Sequence, residues 1–589
     1  MNIVEEVIVE YLRSNRRLVI PNFGAFMAKE SGERIFSGLL RTDDGVLSSL
    51  LKARGLNEME AAITIDRFIF EVRHELEQYG YCRLGEVGTL RIEPETKALR
   101  LYPPVHGELP KQTPYIPKID ERQETKDERK STTEVADTKK QIVKKGWNFA
   151  PFPSIGYNSD TGFQIGALCE IFDYGDGSTY PGYRHKFNVD LSWTTKNQVK
   201  LHFFYDSKYL IPKVRLTAAA TYLNSQMYPF MGFNGSASPY YDFLASGKKQ
   251  DYGVAMYNVK RNMMRVMADF QGNITSPKFR WAAGISYWWY DVQDVSLKKY
   301  KFGETAANYL ESQDIHSQSL WKLYQKAGLI HANEADGGHH IELKAGLVYD
   351  SREHEADPTR GIWAEVYAYG SPDILNGRGK DGYHYLKLAA HFRHYVPIWK
   401  DKIVFAYHLA YQGLLAGRAP YYTLQNINTL YLRQIISDGL GSINTVRGVP
   451  YNSVIGDGYA WANFEMRFKL VSFRFIKQNF YLATNPFFDM GACIQPYRLD
   501  EMRSVLTNNE LSQAEKDLIY TGQKEKLHMS AGVGLKLAMN RNFILSAEVA
   551  VPLNTKIYTS TDASKGFNGE IKMKNSYKPG VNIGLNYIF

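Results

Sequence analysis

The sequence predicts a mainly β protein: a roughly 16-stranded antiparallel transmembrane β-barrel carrying a small N-terminal α+β domain. Two observations lead there. From Gly146 onward apolar and polar residues alternate with a period of two over long runs, the pattern of strands with one face in lipid and one in a lumen. The connections are also unequal: short turns such as Asn540–Asn542 alternate with long loops near 291–338, 416–456 and 495–526. A soluble sandwich alternates too, but its strands average about 5–6 residues. The runs here are about 9–13 residues, enough to cross a bilayer when tilted.

The bulk composition agrees. The chain has 589 residues, 41 of them Tyr and 47 Gly, with a net charge of +9. Mean hydropathy is -0.37, and no run of about 18 apolar residues marks a membrane helix. A barrel keeps low mean hydropathy because every second residue is polar. The three cysteines, Cys82, Cys169 and Cys493, are far apart and form no CxxC, so neither a disulfide framework nor a zinc site is expected.

Three segments follow one another. Residues 1–104 read as a small α+β domain. Asn57 and Glu60 have the spacing of a capping box, Ala62, Ile65, Ile69, Val72 and Leu76 give one apolar helix face, and Gly80 ends the helix. Strands are expected over "RRLVIPNFGAFMAK" and "YCRLGEVGTLRIE", where Gly24/Phe26 echo Gly88/Leu90. Residues 105–145 are rich in Lys, Glu, Asp, Thr and Pro and read as a disordered linker. Residues 146–589 form the barrel.

Within the barrel, Ala462, Phe464, Met466, Phe468 and Leu470 share one face, and Asn463, Glu465, Arg467 and Lys469 the other. Val533, Leu535, Leu537 and Met539 oppose Gly532, Gly534 and Lys536. The chain closes on the aromatic Phe589, which shares a face with Val581, Ile583, Leu585 and Tyr587. A terminal aromatic on such a strand is read as a barrel-assembly signal.

Three pieces of this region resemble the BamA/TamA family, also called the bacterial surface antigen family. "TVRGVPYN" carries Arg447 and Gly448 in a Val-Arg-Gly loop. "NPFFDMGAC" carries Phe487, Asp489 and Gly491 in an aromatic-x-Asp-x-Gly strand. "YDSREHEADPTRGIWAEV" carries Asp350, Arg352, Pro358, Arg360 and Gly361 in an Asp-x-Arg…Pro-x-x-Gly hairpin. The resemblance covers about 440 residues. It implies that the loop folds back into the lumen and that Arg447 meets Asp489, with Glu465 a second acceptor. An Arg fork matches a carboxylate in two directions at once, and Gly448 permits a tight turn beside it. The hairpin residues are expected to shape a turn rather than carry chemistry. The resemblance further implies a role in outer-membrane protein assembly or insertion, or in polypeptide translocation. The implied partners are outer-membrane lipid, lipopolysaccharide and nascent outer-membrane proteins.

Two features depart from that family. No βααββ repeat of about 75 residues, the POTRA unit of barrel-inserting members, fits between Val105 and Lys145. Residues 46–93 resemble HU-type DNA-binding folds instead. Residues 1–104 hold 14 Lys+Arg against 16 Asp+Glu and no wedge-tipped arm, so DNA is a weak candidate partner. The alternative function is an HU-like nucleic-acid or protein-binding module fused to a passive pore. Met1–Pro21 has neither a basic n-region nor an apolar core, so no signal peptide is expected there. Two joined reading frames, an internal start and an unrecognised export route all fit that observation, and a fusion is the expectation.

No nucleophile, P-loop or zincin motif occurs in context, and no enzymatic activity, cofactor or metal is expected. His331, Glu334, Asp336, His339 and His340 are read as part of a flexible polar loop, and Glu342 and Glu548 as lining a wet lumen.

Overall fold

The computed structural model describes residues 3–104 and 145–585, apart from residues 22, 30–32, 39–43, 94–98, 178–182, 246–255, 297–303, 356, 400–401, 431–435, 438, 476–477, 540–542 and 563–564. Phe589, the Asn540–Asn542 turn and linker residues 105–144 therefore lie outside the described residues. The chain divides into two compact units, 1–138 and 139–589.

The first unit begins with α1 (Ile3–Ser14). A three-stranded antiparallel sheet follows, of β1 (Arg17–Ile20), β2 (Gly24–Ala28) and β3 (Arg34–Ser37). Helices α2 (Val46–Ala53) and α3 (Glu58–Tyr79) lead to a second sheet of β4 (Tyr81–Arg83), β5 (Thr89–Ile92) and β6 (Leu99–Tyr102). Helix α3 starts at the expected capping box, with Asn57 and Glu60 bonded reciprocally, and ends at Gly80 with φ +75°. Each of the two expected strands is instead a hairpin. Phe23 N–H bonds back to Ile20 C=O at 3.1 Å around Pro21, whose ring removes a ladder donor. A 3-10 turn, Gly85–Val87, splits β4 from β5. The recurring glycines allow a third strand to lie close: a Cβ on Gly24 would sit 2.3 Å from the Phe36 ring, and one on Gly88 2.4 Å from Tyr102 O. Ile8, Leu18, Phe26, Leu51, Phe68 and Leu90 are among the buried core residues.

The second unit is a closed antiparallel barrel of 16 strands. In chain order these are β7 (Trp147–Asn158), β8 (Gly162–Asp173), β9 (His185–Thr194), β10 (Gln198–Ile211), β11 (Val214–Pro229), β12 (Asn258–Ser276), β13 (Phe279–Asp294), β14 (Gly337–Asp350), β15 (Gly361–Ser371), β16 (Tyr385–Trp399) and β17 (Ile403–Gly417). The loop after β17 contains a small ladder, β18 (Asn426–Ile427) with β19 (Ile436–Ser437). The wall continues with β20 (Gly458–Phe475), β21 (Gln478–Gln495), β22 (His528–Met539) and β23 (Phe543–Pro552). A hairpin of β24 (Lys556–Ser560) and β25 (Ile571–Asn575) precedes the closing strand β26 (Gly580–Leu585), which pairs with β7.

The alternation read from the sequence is the alternation of the wall. Val533 is 51 % exposed and Leu535 49 %, both on the outer, lipid-facing side, whereas Lys536, between Leu535 and Leu537, is 6 % exposed and points inward. Several strands outrun the expected 9–13 residues, reaching 19 in β12 and 18 in β20. At one end the turns are tight, as at Ile211–Val214 and Ser276–Phe279. At the other end the long loops pack on one another through Phe233, Trp321, Tyr324, Tyr421, Tyr497 and Met502. No described helix is long and apolar enough to cross a membrane; the strands do so.

Candidate functional site: a loop latched inside the barrel

The loop between β17 and β20 turns inward because its backbone is shaped to do so. Gly439, Gly441, Ser442 and Gly448 all take positive φ, conformations that glycine adopts without steric cost. Thr445 clasps the turn: its hydroxyl donates to Gly441 C=O at 2.6 Å and accepts from Gly441 N–H at 2.9 Å. Ser442 N–H bonds to Val449 C=O and Leu440 N–H to Val454 C=O. The folded segment buries Val446 and Val449 against Ala410, Tyr459, Trp461 and Cys493. Gly448 lies where a Cβ would meet Ala550 of β23 at 2.9 Å, and Gly580 of β26 is equally close to Gly448. The loop thus rests on the wall that ends at the closing strand.

Between these apolar supports Arg447 reaches the wall. Its Nε donates to Asp489 Oδ2 at 2.8 Å and Nη2 to Asp489 Oδ1 at 2.9 Å, and its own backbone N–H also donates to Oδ2, at 3.0 Å. The remaining nitrogen, Nη1, donates to Glu465 Oε2 at 3.0 Å and lies 3.5 Å from Glu548 Oε1. The guanidinium carbon sits 3.4 Å from the centre of the Phe487 ring, a stacked cation–π contact. Glu465 also accepts from Lys536 Nζ and Arg467 Nε, both at 2.8 Å. Asn485 donates to Glu548 at 3.2 Å. Three cations, Arg447, Arg467 and Lys536, therefore face three carboxylates, Asp489, Glu465 and Glu548, all buried. Balanced charge and a dense set of charge-assisted hydrogen bonds are what make a buried ionic cluster tolerable. Burial disfavours the charged guanidinium of Arg447, but Asp489, Glu548 and Glu465 outweigh it and hold the group above its usual range.

The hairpin residues lie at the opposite end of the wall. Arg352 grips Asp350 through Nε and Nη2, both at 2.9 Å, and stacks 4.1 Å from the Trp363 ring centre. Gly361 has φ +108°, and a Cβ there would lie 2.5 Å from Ser351 O. Arg360 N–H bonds to Glu353 at 2.9 Å. Pro358 is buried and its carbonyl accepts from Arg467 Nη1 at 3.3 Å. The structure thus brings the hairpin to the loop cluster through one arginine.

Sequence reasoning named Glu548 and Lys536 only as wall residues, and their convergence on Arg447 was not seen. Their inward parity on neighbouring strands was the available signal. Two lumen readings are corrected. Glu548 lies in the ionic cluster, and Glu342 accepts from Tyr385 OH at 3.1 Å and from Asn428 of the inner loop at 3.0 Å. Protein, rather than open lumen, is their partner. The expected flexible polar loop is likewise packed. Glu334 is fully buried and accepts from Tyr421 N–H at 2.9 Å and Arg498 at 2.6 Å, and His339 and His340 belong to β14.

Comparison with known proteins agrees with the wall. Residues 181–569 match the Omp85 superfamily domain. No curated protein matches the chain. Among solved structures the chain is similar to BamA from Haemophilus ducreyi lacking POTRA domains 1-3, at 14 % identity and TM-score 0.41, covering 75 % of this chain and 70 % of that one. It is also similar to CdiB from Escherichia coli, at 8 % identity and TM-score 0.42, covering 74 % and 62 %. With about two thirds of its length matched by one family domain, the chain belongs to the Omp85 superfamily and is an outer-membrane β-barrel protein.

Proposed function

We propose that this barrel assists the assembly or insertion of outer-membrane proteins, or the translocation of polypeptide, by opening between its first and last strands. The observation that carries the reading is the seam. Among the described residues, β26 is registered with β7 at Asn582–Asn158 and Ile583–Tyr157 alone. Ser159 N–H donates toward β26, to Val581 C=O at 2.9 Å. By the two-residue period, the backbone of Tyr157, Ile155, Pro153 and Pro151 faces the same side. Pro153 and Pro151 have no N–H to give there, so this edge of β7 lacks two donors, while its other edge pairs with β8 along its whole length. A sheet edge short of donors is one an incoming strand can take over.

The latched loop supports the same reading. Gly448 touches the last two strands of the wall, so the Arg447 cluster braces the side of the barrel that must hold its shape when the seam parts. The packed lumen also weighs against a passive pore. Outer-membrane lipid and lipopolysaccharide are the surroundings proposed for the outer face. The test is the folding rate of a urea-denatured small barrel in liposomes with and without this protein. Acceleration supports the reading, and equal rates reject it.

The N-terminal domain takes a separate reading, as an HU-like binding module occupying residues 1–104 and joined by a linker over 105–145. Pairing places Tyr81, Arg91 and Arg100 in one row and Arg83 and Tyr102 in the next, on one sheet face opposite Cys82, Leu90 and Leu101. Arginine interleaved with tyrosine suits an anionic polymer. Salt-dependent binding to duplex DNA at low ionic strength is its test, and no binding under those conditions rejects it.

A further inference from the structure

The connection between β14 and β15, residues 351–360, is not confined to the two strands it joins. Counting round the wall from β7, those are the eighth and ninth strands of 16. Glu355 reaches back to Arg215 on the fifth strand, β11, at 3.1 Å, and lies 3.5 Å from Lys208 on the fourth. Arg215 is held ready by Asp206, through Nε at 2.8 Å and Nη2 at 3.0 Å. Two residues further on, Asp357 accepts from Tyr481 OH at 2.7 Å. Tyr481 belongs to β21, the thirteenth strand. The next carbonyl, Pro358 O, accepts from Arg467 on the twelfth.

In a closed ring of 16 strands, the fifth and the thirteenth face one another across the lumen. One short turn therefore touches both opposite walls. Its two surfaces differ as that placement requires: Glu353, His354 and Glu355 are exposed, whereas Asp357 and Pro358 are buried. Internal bonds stiffen it. Glu353 accepts from the Thr359 and Arg360 N–H groups at 2.6 and 2.9 Å, and Arg352 Nη1 donates to Glu355 C=O at 3.1 Å. The tight turns at Ile211–Val214 and Ser276–Phe279 are too short to reach inward.

We propose that this turn, through residues 351–355 and 357–360, is a plug that closes the periplasmic mouth of the barrel, moored to opposite walls by Glu355–Arg215 on one side and by Asp357–Tyr481 and Pro358–Arg467 on the other. Polypeptide or solute entering the lumen from that end has to displace it. The bond from Arg467, which also serves Glu465, ties this plug to the same ionic cluster that holds the inner loop. Arg467 is thus the link between the turn and the Glu465 carboxylate that also receives Arg447.

The loops pack over the far mouth, so conductance alone would stay low whether or not the plug is seated. Thiol accessibility reports the plug directly. In full-length protein refolded in detergent, with Cys82, Cys169 and Cys493 replaced by Ser, a single reporter cysteine is placed by Pro358→Cys or by His354→Cys and labelled with a bulky water-soluble maleimide. Heat-modifiable migration confirms a folded barrel. The expected result is that the cysteine at 358 reacts at least about tenfold more slowly than the one at 354, and that adding Glu355→Lys with Tyr481→Phe removes most of that protection. Glu355→Gln alone, which leaves shape and packing intact, is expected to remove part of it if the stronger variant fails to fold. Equal labelling at the two positions in the otherwise unaltered barrel overturns the proposal. So does protection that survives when Arg467→Ala is added to Glu355→Lys and Tyr481→Phe and all three mooring bonds are gone.

Discussion

Removing Arg447 tests whether the inner loop is held by charge. In Arg447→Ala the cluster keeps two cations against three carboxylates, and the imbalance falls unevenly. Glu465 retains Lys536 and Arg467, both at 2.8 Å. Asp489, fully buried, loses the two side-chain hydrogen bonds and the countercharge of Arg447, and keeps only the backbone N–H of residue 447. Stranding a buried charge in this way costs roughly 3–5 kcal/mol. In Asp489→Ala the guanidinium still has Glu465 at 3.0 Å and Glu548 at 3.5 Å, so the loss is smaller, about 1–3 kcal/mol. The double variant removes both members and strands neither, so it should cost little more than the worse single change. A coupling of about 1–3 kcal/mol is expected. Arg447→Lys keeps the charge but not the fork, and should recover only part of the loss. The assay is urea unfolding of the parent and the four variants in detergent, followed by tryptophan fluorescence. Losses that add to within about 0.5 kcal/mol, or a lysine variant as stable as the parent, would refute the reasoning.

Three further outcomes follow from named contacts. Gly448→Ala forces a Cβ to 2.9 Å from Ala550 at φ +84°, and should cost about 1–3 kcal/mol in the same unfolding assay; an unchanged midpoint would mean the loop is not seated there. Gly491→Ala places a Cβ 2.8 Å from Trp461 Cβ and 3.0 Å from Val446, and should raise proteolysis of the inner loop while the barrel stays folded. Arg215 holds the Glu355 carboxyl well below the usual carboxylate range, against the partial desolvation of this still solvent-accessible side chain and with help from Lys208 and Arg352. A lowered folded value means the stabilisation is complete above the unfolded value of about 4.3 and is lost only as pH falls through the lower folded one. Amide exchange of Thr359 and Arg360, corrected for its intrinsic rate, should therefore show constant protection from pH 8 to about pH 5. Protection lost in that interval would contradict the Glu355–Arg215 mooring.

What the sequence made legible was local. Period-two alternation sorted Leu535 from Lys536, and the Asn57/Glu60 spacing marked the start of α3, because each signal lies within a few residues. The breaks at Pro21 and at Gly85–Val87 were passed over because an apolar run continues across both. The meeting of Arg447 with Asp489, 42 residues apart, was expected from family resemblance and not from spacing. Glu355 and Arg215 are separated by 140 residues, and nothing local to either marks the other. Their pairing depends on strand count and on which way a turn folds. Lys536 and Glu548 were visible as inward wall residues, but their convergence needed the register of β22 against β23, which pairs Gly534 with Glu548.

The most direct test of the account is a seam that can be locked and released in one sample. Cysteines introduced by Tyr157→Cys and Ile583→Cys occupy registered positions across β7 and β26, a spacing that suits a disulfide. The protein is placed in liposomes, and the folding rate of a urea-denatured small barrel is followed with the bond formed and again after reductant. The account predicts acceleration only after reduction, with the locked form no faster than empty liposomes. Equal acceleration in both states would contradict it, because the work would then be done without opening between the first and last strands.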